Sequence, residues 1–327
     1  MNTKDKPGGT GATGATTLAR SGCSQRILDL QAKAMRLKKE KNALVLSHLY
    51  QRPEIQDVAD LVGDSLGLSQ AAARADNPVI IFCGVHFMAE SAKILSPEKT
   101  VVLPEAAAGC RMADMITLEG LRELKAKHPG APVVCYVNSS AALKAESDIC
   151  CTSRNAVKVV ESVEGDTVLF VPDRNLAAYV ATKTTKKVIA WEGYCPTHEN
   201  IQAADVKRLQ KEHPDALTMV HPECTPEVIA LADRVFSTQG MLNFAKENPA
   251  KTFIVGTEVG ILHQLKKDNP DKTFLFPTEK EQICPNMKST TLQKVVWALE
   301  KLAPQITVPE DIRLRAVHTL EKMLAIG

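Results

Sequence analysis

Val188-Ile189-Ala190-Trp191-Glu192-Gly193-Tyr194-Cys195-Pro196-Thr197-His198 is the stretch on which the fold turns. Its apolar opening predicts a strand. Gly193 and Pro196 disfavour regular structure, so Cys195 is expected on a strand-end loop. A thiol on a loop with His198 three residues later is a candidate ligand. Two further cysteines have the same setting. Cys110 follows Val101-Val102-Leu103 and a loop through Gly109, and Cys284 follows Phe274-Leu275-Phe276 and a loop through Ile283. The three are 85 and 89 positions apart.

Other markers keep nearly the same interval. Polar residues at strand ends, His48, Tyr136 and His221, are separated by 88 and 85 positions. The hydroxyls Ser65, Ser153 and Thr238, read as caps of the helices that follow, repeat those gaps. Self-similarity of this length predicts triplication of one compact α/β unit. The expected architecture is three homologous three-layer αβα sandwich domains in a pseudo-threefold triangular arrangement, over residues 43–130, 131–214 and 215–302. In the first unit strands are expected at 43–46, 79–82 and 100–103, with helices at 53–62, 66–75 and 86–95. The other two units repeat this grammar, and Cys150-Cys151 falls on a short strand. A Gly/Thr-rich tail, 1–22, lacks the apolar anchors to offset ordering entropy and is expected to be disordered. An amphipathic helix at about 24–41 follows it, the N-terminal segment spans 23–42, and a C-terminal helix closes the chain within 303–327.

Composition narrows the function. Of the 327 residues 44% are apolar, enough for real cores, while 4% are aromatic, which argues against a nucleic-acid binder that works by stacking. A formal charge of +2 implies no bulk electrostatic partner. No apolar run is long enough to span a bilayer and the first residues carry no secretory core, so a cytoplasmic protein without a membrane partner is expected. Nine cysteines in such a chain do not form a disulfide framework. There is no Cys-x-x-Cys pair and no His-x-x-x-His pair, which excludes a local zinc ribbon. A metal site must gather ligands from far apart in the sequence.

In parallel sheets ligand groups collect beyond the carboxyl ends of the strands, where all of these markers lie. Cys110, Cys195 and Cys284 would suit zinc with a fourth ligand, or a [4Fe-4S] cluster with one iron left free. An open iron would act as a Lewis acid on a carboxylate, hydroxyl or imine. Helix N-termini near Ser65, Ser153 and Thr238 suit an anionic substrate. His48, Tyr136, His198, His221 and Glu223 are the titratable candidates for proton transfer.

Several longer motifs resemble the quinolinate synthase family. They are Tyr50-Gln51-Arg52-Pro53-Glu54, Gly63-Asp64-Ser65, Tyr136-Val137-Asn138-Ser139, Ser147-Asp148-Ile149-Cys150-Cys151-Thr152-Ser153, Cys195-Pro196-Thr197-His198, His221-Pro222-Glu223-Cys224 and Cys284-Pro285-Asn286-Met287-Lys288. The resemblance covers about residues 43–302. It implies condensation of iminoaspartate with dihydroxyacetone phosphate to quinolinate, phosphate and water, in de novo NAD biosynthesis. It implies one [4Fe-4S] cluster per chain on Cys110, Cys195 and Cys284. Substrate contacts would fall at His48, Ser65, Tyr136, Val137, Asn138, Ser153, His221, Pro222, Glu223 and Thr238, and catalytic roles at Glu223, His221, Tyr50, His48 and His198. An aspartate oxidase or dehydrogenase would supply iminoaspartate. Leu49 departs from the pattern, where an aromatic residue is expected, and Cys284 has no extra cysteines nearby. A zinc-dependent hydrolase or aldolase on the same thiols, and a non-enzymatic iron-sulfur redox sensor, are the competing readings.

Overall fold

The computed structural model describes residues 13–278 and 280–327, with side chains from residue 24 onward. Three separate parallel sheets of four strands each follow one another along the chain. The first is built from β1 (Ala43–His48), β2 (Leu61–Gly63), β3 (Val79–Cys83) and β4 (Thr100–Val102). The second holds β5 (Val133–Tyr136), β6 (Ile149–Cys151), β7 (Thr167–Val171) and β8 (Lys187–Ala190). The third holds β9 (Leu217–Val220), β10 (Arg234–Val235), β11 (Thr252–Gly256) and β12 (Thr273–Leu275).

The strand orders are β2-β1-β3-β4, β6-β5-β7-β8 and β10-β9-β11-β12, so all three sheets share one topology. Every residue of β3 is buried, as expected for an inner parallel strand covered by helices on both faces. In each order the chain leaves the first strand to one side and returns on the other. This creates a switch point between β1 and β3, β5 and β7, and β9 and β11, where a ligand crevice forms.

Two polar devices recur in all three units. Asp60, Asp148 and Asp233 each accept a backbone N–H of the neighbouring first strand, from Val45 (2.9 Å), Val133 (2.7 Å) and Thr218 (2.7 Å). Lys99, Lys186 and Lys272 each donate to carbonyls at the end of the helix that follows the second strand of their unit. A cation there satisfies orphan carbonyls and meets the negative end of the helix dipole.

Four expectations change in detail. The helix expected over 53–62 is confined to Pro53–Gln56. The reason is Asp60, whose N–H donates to the Val45 carbonyl at 2.8 Å while its carboxylate accepts from Val45, drawing the chain into the sheet as β2. β2 and β10, of three and two residues, are too short to leave a periodic signal. Ser65 and Thr238 do not cap their helices. Asp64 and Ser237, one position earlier, hold the extended backbone of a cap and accept from Gly67 (2.9 Å) and Gly240 (3.3 Å). In the second unit the helix begins only at Ala156, beyond Ser153. None of the three hydroxyls is therefore used in capping. Finally, the N-terminal helix spans Thr13–Glu40, so it takes in residues 13–22 of the expected disordered tail, while 1–12 lie outside the described residues. Extending a helix already held by packing at Ile27, Leu30 and Ala34 costs much less than starting one.

The N-terminal helix and the helix Leu292–Lys301 pack together over one face of the first sheet, sharing its core with Val45, Val79 and Ile81. The helix Glu310–Ile326 covers β6 and the helix Ala141–Ala145 of the second unit. Both closing helices thus pack away from the third unit, although they follow it in sequence.

Candidate active site

All three units line one cleft of ≈ 900 Å³, counting its open mouth. It lies beyond the carboxyl ends of the strands of all three sheets. His48 ends β1, Tyr136 ends β5, and His221 follows β9 by one residue. The same backbone device fixes both histidines: Nδ1 of His48 accepts the N–H of Tyr50 (3.1 Å), and Nδ1 of His221 accepts that of Glu223 (3.4 Å). The proton of each neutral ring is thereby placed on Nε2, and His221 Nε2 lies 3.1 Å from Ser153 Oγ.

Glu223 is the centre of the polar groups. Tyr136 donates its hydroxyl to Oε1 at 2.6 Å, and His198 Nδ1 lies 2.7 Å from Oε2. Burial acts to raise the Glu223 carboxyl, but His198 and His221 beside it prevail and lower it to about 2. An ionised Glu223 makes Nδ1 of His198 a donor, and Nε2 of the same ring lies 2.9 Å from Thr257 Oγ1. Thr257 in turn stands 2.5 Å from the Tyr50 hydroxyl. One line of hydrogen bonds thus runs Tyr50, Thr257, His198, Glu223, and draws on all three units. Burial, reinforced by Glu223, pushes the phenols of Tyr50 and Tyr136 well up, so both stay protonated. Burial pushes His48 and His221 down to about 3, and both are neutral.

Ser65, Ser153, Thr238 and Asn138 complete the polar lining. The Oδ1 atom of Asn138 is buried with no partner among the described residues, as expected of an acceptor kept for a ligand. Val137 and Pro222, expected at the substrate, stand back from the cleft. Val137 belongs to the core, and Pro222 faces a neighbouring groove between the second and third units. Thr257 and Glu258 were missed. Both follow β11, on the far side of the switch point from His221, and that position is the signal that would have found them.

Cys110, Cys195 and Cys284 reach the cleft from the first, second and third units. Of the eight described cysteines these three are the partly exposed ones, and Cys83, Cys135, Cys150, Cys151 and Cys224 are buried. Burial, with Cys284 acting in the same sense, pushes the Cys110 thiol up to about 12, and burial, Glu223, Cys284 and Cys110 push Cys195 well up. Three thiols close enough to oppose one another's ionisation fit a bound cation, which would stabilise the thiolates together. Cys195, His198 and Glu223 also present ligand atoms within 4.8 Å of one another, although the His198–Glu223 contact already serves as a hydrogen bond.

Fold and site together define a class: a triplicated parallel α/β enzyme that closes three cysteines and a histidine–carboxylate network around a small-molecule cleft. Among the described residues no helix is long and apolar enough to cross a membrane. Residues 32–325 match the family described as Quinolinate synthetase A protein, and the chain belongs to that family. It is 57% identical over 298 residues to a protein of Methanosarcina acetivorans named quinolinate synthase 1, covering 91% of this chain and 98% of that one. It is 58% identical over 297 residues to the quinolinate synthase of Geobacter metallireducens, covering 91% and 97%. Against that of Dehalococcoides mccartyi strain BAV1 the figures are 57% over 294 residues, 90% and 97%.

Proposed function

We propose that the protein condenses iminoaspartate with dihydroxyacetone phosphate to give quinolinate, phosphate and water. The observation that carries this reading is the single cleft shared by the three thiols and the Tyr50–Thr257–His198–Glu223 line. Cys110, Cys195 and Cys284 would hold one [4Fe-4S] cluster per chain. Bound there by three cysteines, the cluster supplies a Lewis-acid iron.

The chain's own residues do the rest. Ser65, Ser153, Thr238 and Asn138 present hydroxyl and amide groups that bind and orient carboxylates and phosphate. His48 offers its Nε2 proton to a carbonyl oxygen. Glu223, ionised, accepts a proton during enolisation and ring closure. The line through His198 and Thr257 moves protons between Glu223 and the Tyr50 hydroxyl, which faces the same cleft. Apolar Val85, Phe87 and Met88 on the cleft wall limit water around the reactive imine. Free buried thiols suit a reducing compartment, so the cytoplasm is its place of work. A dehydrogenase or oxidase acting on aspartate would supply the imine.

The test is an anaerobic assay of purified protein with both substrates, reading pyridine dicarboxylate. Product at a rate tied to iron content is expected, with roughly four irons per chain. An iron-loaded protein that makes none, or a zinc protein with hydrolytic or aldolase activity, would overturn the reading.

A further inference from the structure

Glu258 stands two residues beyond β11 and is fully buried at 0% exposure. Its Oε1 accepts the N–H of Cys284 at 3.1 Å, and its Oε2 the N–H of Gly260 at 2.7 Å. Lys288 places Nζ 2.9 Å from Oε1 and 3.1 Å from Oε2, and also donates to the backbone carbonyl of Tyr50. Arg52, two residues after Tyr50, closes the circuit by donating to the Lys288 carbonyl at 3.0 and 2.8 Å. A buried carboxylate that satisfies two backbone donors and one ammonium makes a stiff joint, because no partner can leave without stranding the rest.

Two observations set this joint apart from ordinary loop packing. Val85, Asp173 and Glu258 occupy the same place in the three units, 88 and 85 positions apart, the interval that also separates His48, Tyr136 and His221. In the second unit Asp173 uses its carboxylate to cap its own helix, accepting from Leu176 at 2.8 Å. In the third unit that capping is absent among the described residues, and the longer side chain reaches the Cys284 loop instead. The second observation is Gly260. Its φ of −60° suits any residue, so backbone strain does not call for glycine. Space does: a Cβ there would lie 2.6 Å from Lys288 Nζ, 2.7 Å from Glu258 Oε2 and 2.8 Å from the carbonyl carbon of Tyr50.

We infer that Glu258, Lys288 and Gly260 form a brace that sets where Cys284 and Tyr50 stand relative to each other, with Glu258 as a positioning residue of the active site. The inference deepens the reading above, in which Cys284 is one of three metal ligands. E258Q and G260A test it in anaerobically purified full-length protein. Three quantities are measured: metal release to a chelator, peptide-resolved alkylation of Cys284 against Cys195, and melting temperature. Release roughly ten-fold faster than wild type is expected in both variants, the scale on which groups behind a metal ligand act. Cys284 should be alkylated several-fold faster while Cys195 keeps its rate. Equal acceleration at both cysteines in step with a fall in melting temperature, or no change at either, would overturn the brace. Metal analysis of the wild type separates the two readings. Zinc in place of iron would defeat the cluster, while the Cys284-to-Cys195 contrast would still decide the brace.

Discussion

His198 Nδ1 lies 2.7 Å from Glu223 Oε2, and the two residues come from different units. His198 follows β8 in the second and Glu223 follows β9 in the third. Both side chains are almost wholly buried, at 1% and 4% exposure. Burying an ionised carboxylate is costly, and replacing such a pair with apolar packing is often neutral or stabilising. The pair is therefore better explained by proton transfer than by stability.

Glu223→Gln is expected to lower kcat by about 10² to 10⁴, the usual scale for a general base. The amide keeps one oxygen to accept from Tyr136, but its NH2 then meets the His198 N–H donor to donor, and the negative charge is gone. Iron content and melting temperature should stay close to wild type. Steady-state assay beside metal analysis checks this, and wild-type-like turnover would remove Glu223 from the mechanism.

Thr257 links His198 to Tyr50 by contacts of 2.9 and 2.5 Å. Thr257→Val keeps the shape and deletes the hydroxyl. The flanking Tyr50 oxygen and His198 Nε2 are already 3.5 Å apart, so a small shift restores direct contact. The expected loss in kcat is accordingly about ten-fold, at the mild end of relay effects, with KM little changed. Thr257→Ser should stay within about three-fold of wild type. A serine variant as poor as valine would show that the methyl group, and not the hydroxyl, matters.

The three-unit fold was legible because its markers are spaced by whole units, and spacing survives without knowledge of contacts. Cys110, Cys195 and Cys284, with His48, Tyr136 and His221, were legible for the same reason. Thr257 and Glu258 were not. An ordinary Thr-Glu after a glycine gains its meaning only when Tyr50 of the first unit and Cys284 arrive beside it. The hydroxyls Ser65 and Thr238 line the cleft, but the capping expected of them belongs to Asp64 and Ser237. Whether a residue is the cap or the first helical position depends on one backbone angle that composition does not reveal. The short edge strands β2 and β10 are held by Asp60 and Asp233 rather than by apolar alternation, so periodicity is silent there.

Lys272 tests the scaffold apart from the chemistry. It is buried, donates to the carbonyls of Ala245 and Asn248, and precedes β12 at the end of the sheet remote from the cleft. Lys272→Met should cost about 1–3 kcal/mol by leaving those carbonyls without a charged donor at a helix end. Activity per folded molecule should not change. Denaturant titration and an assay on the same preparation check both halves, and a loss of activity without a loss of stability would contradict the assignment.

Acid should destabilise the protein through its buried histidines. Burial lowers His48 and His221 from 6.5 to about 3, against the pull of Glu223 in the other direction. The unfolded chain therefore binds protons between pH 6.5 and 3 that the folded chain refuses. The stability these groups lend is complete above pH 6.5 and drains away as pH falls toward 3. Glu223, lowered from 4.5 to about 2, acts in the same sense further down. Asp64, Asp173 and Glu258, all raised by burial, act in the opposite sense: their favourable contribution is present at low pH and fades as pH rises through their folded values. Those carboxyls are common to wild type and His221→Asn, so the difference between the two proteins isolates the histidine. Between pH 6.5 and 5 each histidine should cost roughly 2 kcal/mol. Urea midpoints measured across that interval should fall steeply in wild type and more gently in His221→Asn, whose side chain does not titrate. Parallel slopes for the two proteins would mean that His221 is charged in the folded state, and the neutral Nε2 donor assigned to it beside Ser153 would have to be given up.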